Sequence, residues 1–141
     1  DMSGSVVEVK SSQFFYIGDK AISVGERSNL DASGLVIDSS IAGVVSKDKS
    51  VVHIRDSSFD NISGSALMAY IKKEQYGPSE IHCTNCQFDN IETVAAKRFE
   101  SRITIDGKEI RAKPFTRKQL QVAGYLGLSK FSEEESGSVQ H

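Results

Sequence analysis

A serine followed by a short alternating apolar run recurs five times along the 141-residue chain, and this recurrence limits the fold more than any other feature. Ser5 leads into Val6-Val7-Glu8-Val9, Ser28 into Asn29-Leu30-Asp31-Ala32, and Ser50 into Val51-Val52-His53-Ile54. Ser79 leads into Glu80-Ile81-His82-Cys83 and Ser101 into Arg102-Ile103-Thr104-Ile105, giving spacings of 23, 22, 29 and 22. Seven residues beyond the first core position lies Phe14, Ile37, Phe59 or Phe88, and Phe59-Asp60-Asn61-Ile62 returns as Phe88-Asp89-Asn90-Ile91. A third run closes each unit: Ala21–Val24, Gly43–Ser46, Ala66–Ala69 and a degraded Ala95-Ala96-Lys97.

Three short apolar runs per unit predict an all-β, right-handed parallel β-helix of four to five coils, each strand pairing with its equivalent ~4.8 Å away. Composition agrees: 12 Val and 12 Ile stand against 6 Leu, and stiff β-branched side chains suit a pleated surface. Six leucines cannot furnish a leucine-rich repeat, and no hairpin signal precedes Asp106-Gly107, which argues against a sandwich.

Alternation sends Val7/Val9, Leu30/Ala32, Val52/Ile54, Ile81/Cys83 and Ile103/Ile105 inward. Glu8, Asp31, His53, His82 and Thr104 then form an outward ladder, and Asn61 and Asn90 share a turn position where amides bond one another. The coils are expected over 1–105. A C-terminal cap follows over 106–131, made of a hairpin at Asp106-Gly107 and a helix opened by the capping-box spacing Thr116-Arg117-Lys118-Gln119 and running to about Ala123. Residues 132–141, with Glu133-Glu134-Glu135 and little apolar content, read as a disordered tail.

The chain resembles the right-handed parallel β-helices of the pectate-lyase-like superfamily over roughly residues 5–105. Two segments, 18–28 (GDKAISVGERS) and 69–77 (AYIKKEQYG), resemble β-helix regions of bacterial surface and envelope proteins, some of which accompany domains similar to spore-coat protein H kinases. The resemblance implies an extracytoplasmic accessory module, and no kinase-like domain is carried by these residues.

Enzymes of that superfamily work on polysaccharides from an outward strand face. Here Glu8, Asp31, His53 and His82, with Arg55 and Lys10 beside them, are the candidate catalytic group: a base and a cation are what a lyase needs. Paired carboxylates at a hydrolase spacing are not evident, and a solvated polar ladder is the plainer reading. The seven extra residues 72–78 form a protruding loop, so Tyr70, Lys72, Lys73 and Tyr76 are the candidate contacts for a polysaccharide or an envelope protein.

Cys83-Thr84-Asn85-Cys86 has a metal or redox spacing, yet its register makes both cysteines small, free core residues, and no metal site is assigned. Asp56, Asp60 and Asp89 recur at turns, which favours turn chemistry over a calcium site; no other cofactor is expected. Eight basic against three acidic residues between Lys97 and Lys118 read first as a solvated face. A net charge of −2 makes no case for nucleic acid, and no stretch is long and apolar enough for a membrane span. The first coil begins without a cap, so its edge invites a preceding domain or self-association. The expected function is a non-catalytic spacer or binding module, with a polysaccharide lyase, hydrolase or epimerase as the alternative.

Overall fold

The computed structural model describes residues 2–73, 75–98, 100–111 and 115–123. The chain is all-β, built on one curled mixed sheet. Its strands are β1 (Met2–Ser3), β2 (Val6–Lys10), β3 (Gln13–Gly25), β4 (Asn29–Ser33) and β5 (Val36–Lys47). They continue with β6 (Val51–Tyr70), β7 (Glu80–Lys97), β8 (Arg102–Ile105) and β9 (Lys108–Glu109), before the helix α1 (Arg117–Ala123).

All strand pairs except β8 with β9 are parallel, and their partners lie one sequence unit apart. Val7, Leu30, Val52, Ile81 and Ile103 form one column of partners, and Phe14, Ile37, Phe59 and Phe88 form a second. Ile22, Val44, Leu67 and Ala95 form a third. Most of these side chains belong to one continuous core, in which the Phe59 and Phe88 rings stack with centroids 5.2 Å apart.

The long strands turn corners at residues with left-handed backbone. Ser11, Gly34, Asp56, Asn85 and Asp106 have φ between 50° and 66°, and so do Tyr16, Ser39, Asn61 and Asn90. Short polar side chains tolerate this region because they bond locally, which is why Asn and Asp recur there. Asn85 Nδ2 donates to Asp56 Oδ1 at 2.7 Å, and Asp106 Oδ1 accepts the Asn85 backbone N–H at 2.9 Å. At the second corner Asn90 donates to Asn61, whose own amide donates to Asp38 Oδ1 at 3.0 Å. The expected amide ladder therefore extends one unit further, onto a carboxylate. A third bend is a bulge, repeated between Ile17 and Lys20, Ser40 and Ala42, and Ile62 and Ser65. Glycine is required beside it: a Cβ on Gly43 would lie 2.5 Å from the Ala66 carbonyl oxygen.

The repeating serines lie inside. Ser28, Ser50, Ser79 and Ser101 are buried, and the Ser28 and Ser50 hydroxyls accept the N–H of Ser5 and Ser28 at 3.2 and 3.1 Å. Ser101 Oγ does the same for Ser79 at 3.0 Å. The relay is replaced between Ser50 and Ser79, where the longer unit falls: the Ser50 N–H donates to the Lys47 carbonyl at 3.3 Å, and Ser79 Oγ donates to the Tyr70 carbonyl at 3.0 Å.

Asp106 and Gly107 both have positive φ, the turn that joins β8 to β9. The capping box forms: Gln119 N–H donates to Thr116 Oγ1 at 3.2 Å and Thr116 N–H to Gln119 Oε1 at 2.8 Å. The helix does not cover an end of the stack as expected. Phe115, Leu120 and Ala123 pack across the outer face of the third run, over Ala42, Val45, Met68, Tyr70 and Ala96. Lys20 Nζ ties the helix to β3 through the Val122 carbonyl at 3.2 Å, and Gln119 Nε2 ties it to Ser65 Oγ at 2.9 Å. The physical reason is that this run is apolar on both faces, so an outer cover was needed as well as a core. The expected disordered tail, 132–141, lies outside the described residues.

Candidate functional site

The outward ladder forms in register: Glu8 pairs with Asp31, Asp31 with His53, His53 with His82, and His82 with Thr104. All the candidate catalytic residues thus share one open face. Their functional groups are largely spent on one another. Arg55 Nη2 donates to Asp31 Oδ1 at 3.1 Å, and Lys10 lies 3.7 Å from Glu8. His82 Nε2 is 2.7 Å from Glu80 Oε1 and Nδ1 is 2.7 Å from Thr104 Oγ1. A neutral ring that donates to the carboxylate accepts the threonine hydroxyl proton, so its one lone pair is aimed at Thr104 and not at an incoming sugar. His53 is exposed and stacks on His82 with ring centroids 5.1 Å apart.

The inserted loop is built rather than trailing. Asp48, buried with φ 55°, accepts the backbone N–H of both Lys72 and Lys73 on Oδ1, each at 2.7 Å. Lys73 pairs with Glu26, and that hydrogen bond raises the ammonium pKa above its ordinary value. The Arg27 guanidinium lies over the Tyr76 ring, 5.4 Å from its centroid. Burial, followed by the neighbouring charges of Lys72 and Lys20, lowers the Lys47 pKa, so cations concentrate at the loop's base. Glu26 and Asp48 each stand two residues before a repeating serine, with the same left-handed backbone. That recurrence is the sequence signal for the anchor.

Two sequence expectations are corrected. Tyr70 is no surface contact: it is 1 % exposed, edge-on to Phe115 at 6.0 Å, because it ends the doubly buried third run. The cysteines are not free. Cys83 keeps its expected core position opposite Ile54 and Ile105, but it is joined in a disulfide to half-buried Cys86. The Asn85 corner brings residues three apart into bonding reach, and the sequence signal was the position of both cysteines around that corner. Asp56 is spent in the corner ladder, and no cluster of three metal-ligating side chains occurs among the described residues.

Two shallow grooves follow the corners. One of about 510 Å³ is lined by Asn61, Ile62, Ser63, Asn90, Ile91 and Glu92. Another, of about 230 Å³, runs past Gly34, Asp56, Ser57, Asn85 and Gln87. At the first unit, the outer edges of β2 and of the start of β3 pair with no other strand among the described residues. Val6, Phe15 and Tyr16 are exposed there. No described helix is long and apolar enough to cross a membrane. Comparison with protein-family models, curated proteins and solved structures finds no match to this chain.

Proposed function

We propose that the chain is a right-handed parallel β-helix module of a bacterial envelope or secreted protein. It serves as a rigid spacer that presents a binding surface for glycan or for an envelope protein, and it carries out no catalysis of its own. The observation that carries this reading is the anchored loop: a buried carboxylate, an ion pair and a cation–π contact hold Lys72, Lys73 and Tyr76 in one arrangement. A preorganised surface loses less entropy on binding than a loose one. The Tyr76 face away from Arg27 suits a sugar ring, and the Lys72 ammonium suits acidic substituents while Lys73 is engaged by Glu26. The mutual pairing of Arg55 with Asp31, and of His82 with Glu80 and Thr104, weighs against the polysaccharide-lyase alternative on the ladder face. The Cys83–Cys86 bond suits an oxidising, extracytoplasmic setting. The open first-unit edge is the face on which a second copy would pair.

The test is retention on an array of uronate-bearing and neutral polysaccharides, run with the native protein and with Tyr76→Ala. Retention of the native protein, reduced at least tenfold in the variant, is the expected result. Equal retention of the two proteins moves the surface elsewhere, and retention of neither on any glycan removes the glycan reading.

A further inference from the structure

We propose that Cys83–Cys86 is a reversible thiol–disulfide exchange site, opened at Cys86 by low-molecular-weight thiols, in a protein that stays folded in both redox states. Four observations combine. First, the bond is not needed to make the corner it spans. Ser11, Gly34 and Asp56 hold the equivalent corners with φ of 50°, 66° and 52°, against 54° for Asn85, and their flanking pairs are Val9 and Ser12, Ala32 and Leu35, and Ile54 and Ser57. Three crosslink-free corners with the same backbone mean that the fourth survives opening.

Second, the bond joins residues only three apart, so it removes little freedom from the unfolded chain. A crosslink whose purpose was stability would join distant segments. Third, the two sulfurs are unequally placed. Cys83 is 1 % exposed within the core column, whereas Cys86 is half-buried at its margin. An attacking thiolate therefore has one accessible target. Fourth, a groove is lined by both chain neighbours of Cys86, Asn85 and Gln87, and by its strand partner Ser57, and gives a small polar thiol a place to lie near the bond. Asn85 itself is fixed by Asp56 and Asp106, which hold the corner independently of the sulfurs.

The exchange balances without any further reactant. A thiol loses its proton to solvent, and its thiolate attacks Cys86 Sγ. The new S–S bond forms as the Cys83–Cys86 bond breaks, and Cys83 leaves as a thiolate that takes up a proton. A second thiolate attacks the external sulfur of the mixed disulfide and releases the small disulfide, and the Cys86 thiolate is protonated. Two small thiols are oxidised, the protein disulfide is reduced to a dithiol, and the steps reverse in an oxidising medium.

The experiment equilibrates the intact protein in mixtures of reduced and oxidised glutathione. Acid quenching, alkylation and mass measurement then read the redox state, and circular dichroism reads the fold. The expected result is a graded loss of the disulfide with the native β signal kept throughout, and its return on adding oxidised glutathione. Cys83→Ser should accumulate a single glutathione adduct at Cys86. Cys86→Ser should leave Cys83 unmodified until denaturant is added. A disulfide that survives excess reduced glutathione until the chain is denatured overturns the proposal, and so does reduction that abolishes the native signal. Both results leave the glycan reading untouched, since that rests on the loop, which is anchored by Asp48, Glu26 and Arg27 and not by the cysteines.

Discussion

Two outer faces of the same sheet are treated in opposite ways. Along the first run, alternate residues point out into solvent: Glu8, Asp31, His53, His82 and Thr104 occupy five successive rungs, and nothing among the described residues covers them. Along the third run the outward positions are Val45, Met68 and Ala96, with Tyr70 beyond, and Phe115, Leu120 and Ala123 lie over them. The core behind both faces is shared. The difference shows that the scaffold itself is indifferent to what stands outside it; local sequence decides whether a face is left open for contact or consumed by the chain's own C-terminal segment.

A charge placed on each face breaks the comparison most sharply. Met68→Asp puts a carboxylate in place of a buried thioether in the apolar cluster beneath the helix, and the loss is on the order of 4 kcal/mol or more. His53→Thr, on the open face, should fall within about 0.5 kcal/mol of the native protein. Urea unfolding measures both. A Met68→Asp protein of native stability would mean that α1 does not cover Met68.

The capping box offers a finer probe of the same cover. Thr116→Ala removes the oxygen that receives the Gln119 N–H, and an N-cap loss costs about 1 kcal/mol. Because Gln119 also bonds Ser65, the loosened helix should uncover the third run. Hydrogen exchange should rise in α1 while the amides of β4 and β8 stay as protected as before. A uniform rise across the sheet would show that the cover and the strands beneath it unfold as one.

Much of the strand pairing was legible because strand register is a period-2 property: one apolar position, Val52 for instance, fixes the facing of Val7, Leu30, Ile81 and Ile103 at once. The capping box was legible for a similar reason, since both of its bonds lie within four residues. By position alone the third run, Gly43–Ser46 and Ala66–Ala69, reads only as a closing strand. Unbroken apolarity there marked burial on two sides, and with it the fate of Tyr70. The Asp48 anchor and the disulfide were harder. Each depends on a left-handed corner, at Asp48 and at Asn85, and backbone handedness leaves only a weak trace in residue identity.

The smallest expected effect concerns the polar corner that separates the two faces. Asp38 receives hydrogen bonds from Asn61 and from Ser39, and these lower its carboxyl pKa below the ordinary 3.8. A depressed folded value means the unfolded chain binds the proton more readily, so the contribution is present above the unfolded value and disappears as pH falls through the folded one. Asp38→Asn cannot titrate. The melting temperature of the native protein should therefore exceed that of Asp38→Asn at pH 7, and the gap should close as pH drops below 3.8. The Glu109 carboxyl pKa is likewise lowered, chiefly by its bond from Lys97, and Glu109→Gln provides the comparison for the hairpin. A gap that is constant from pH 7 into the acid range would show that the Asp38 charge contributes nothing to the corner, and that the Asn61–Asn90 amides hold it alone.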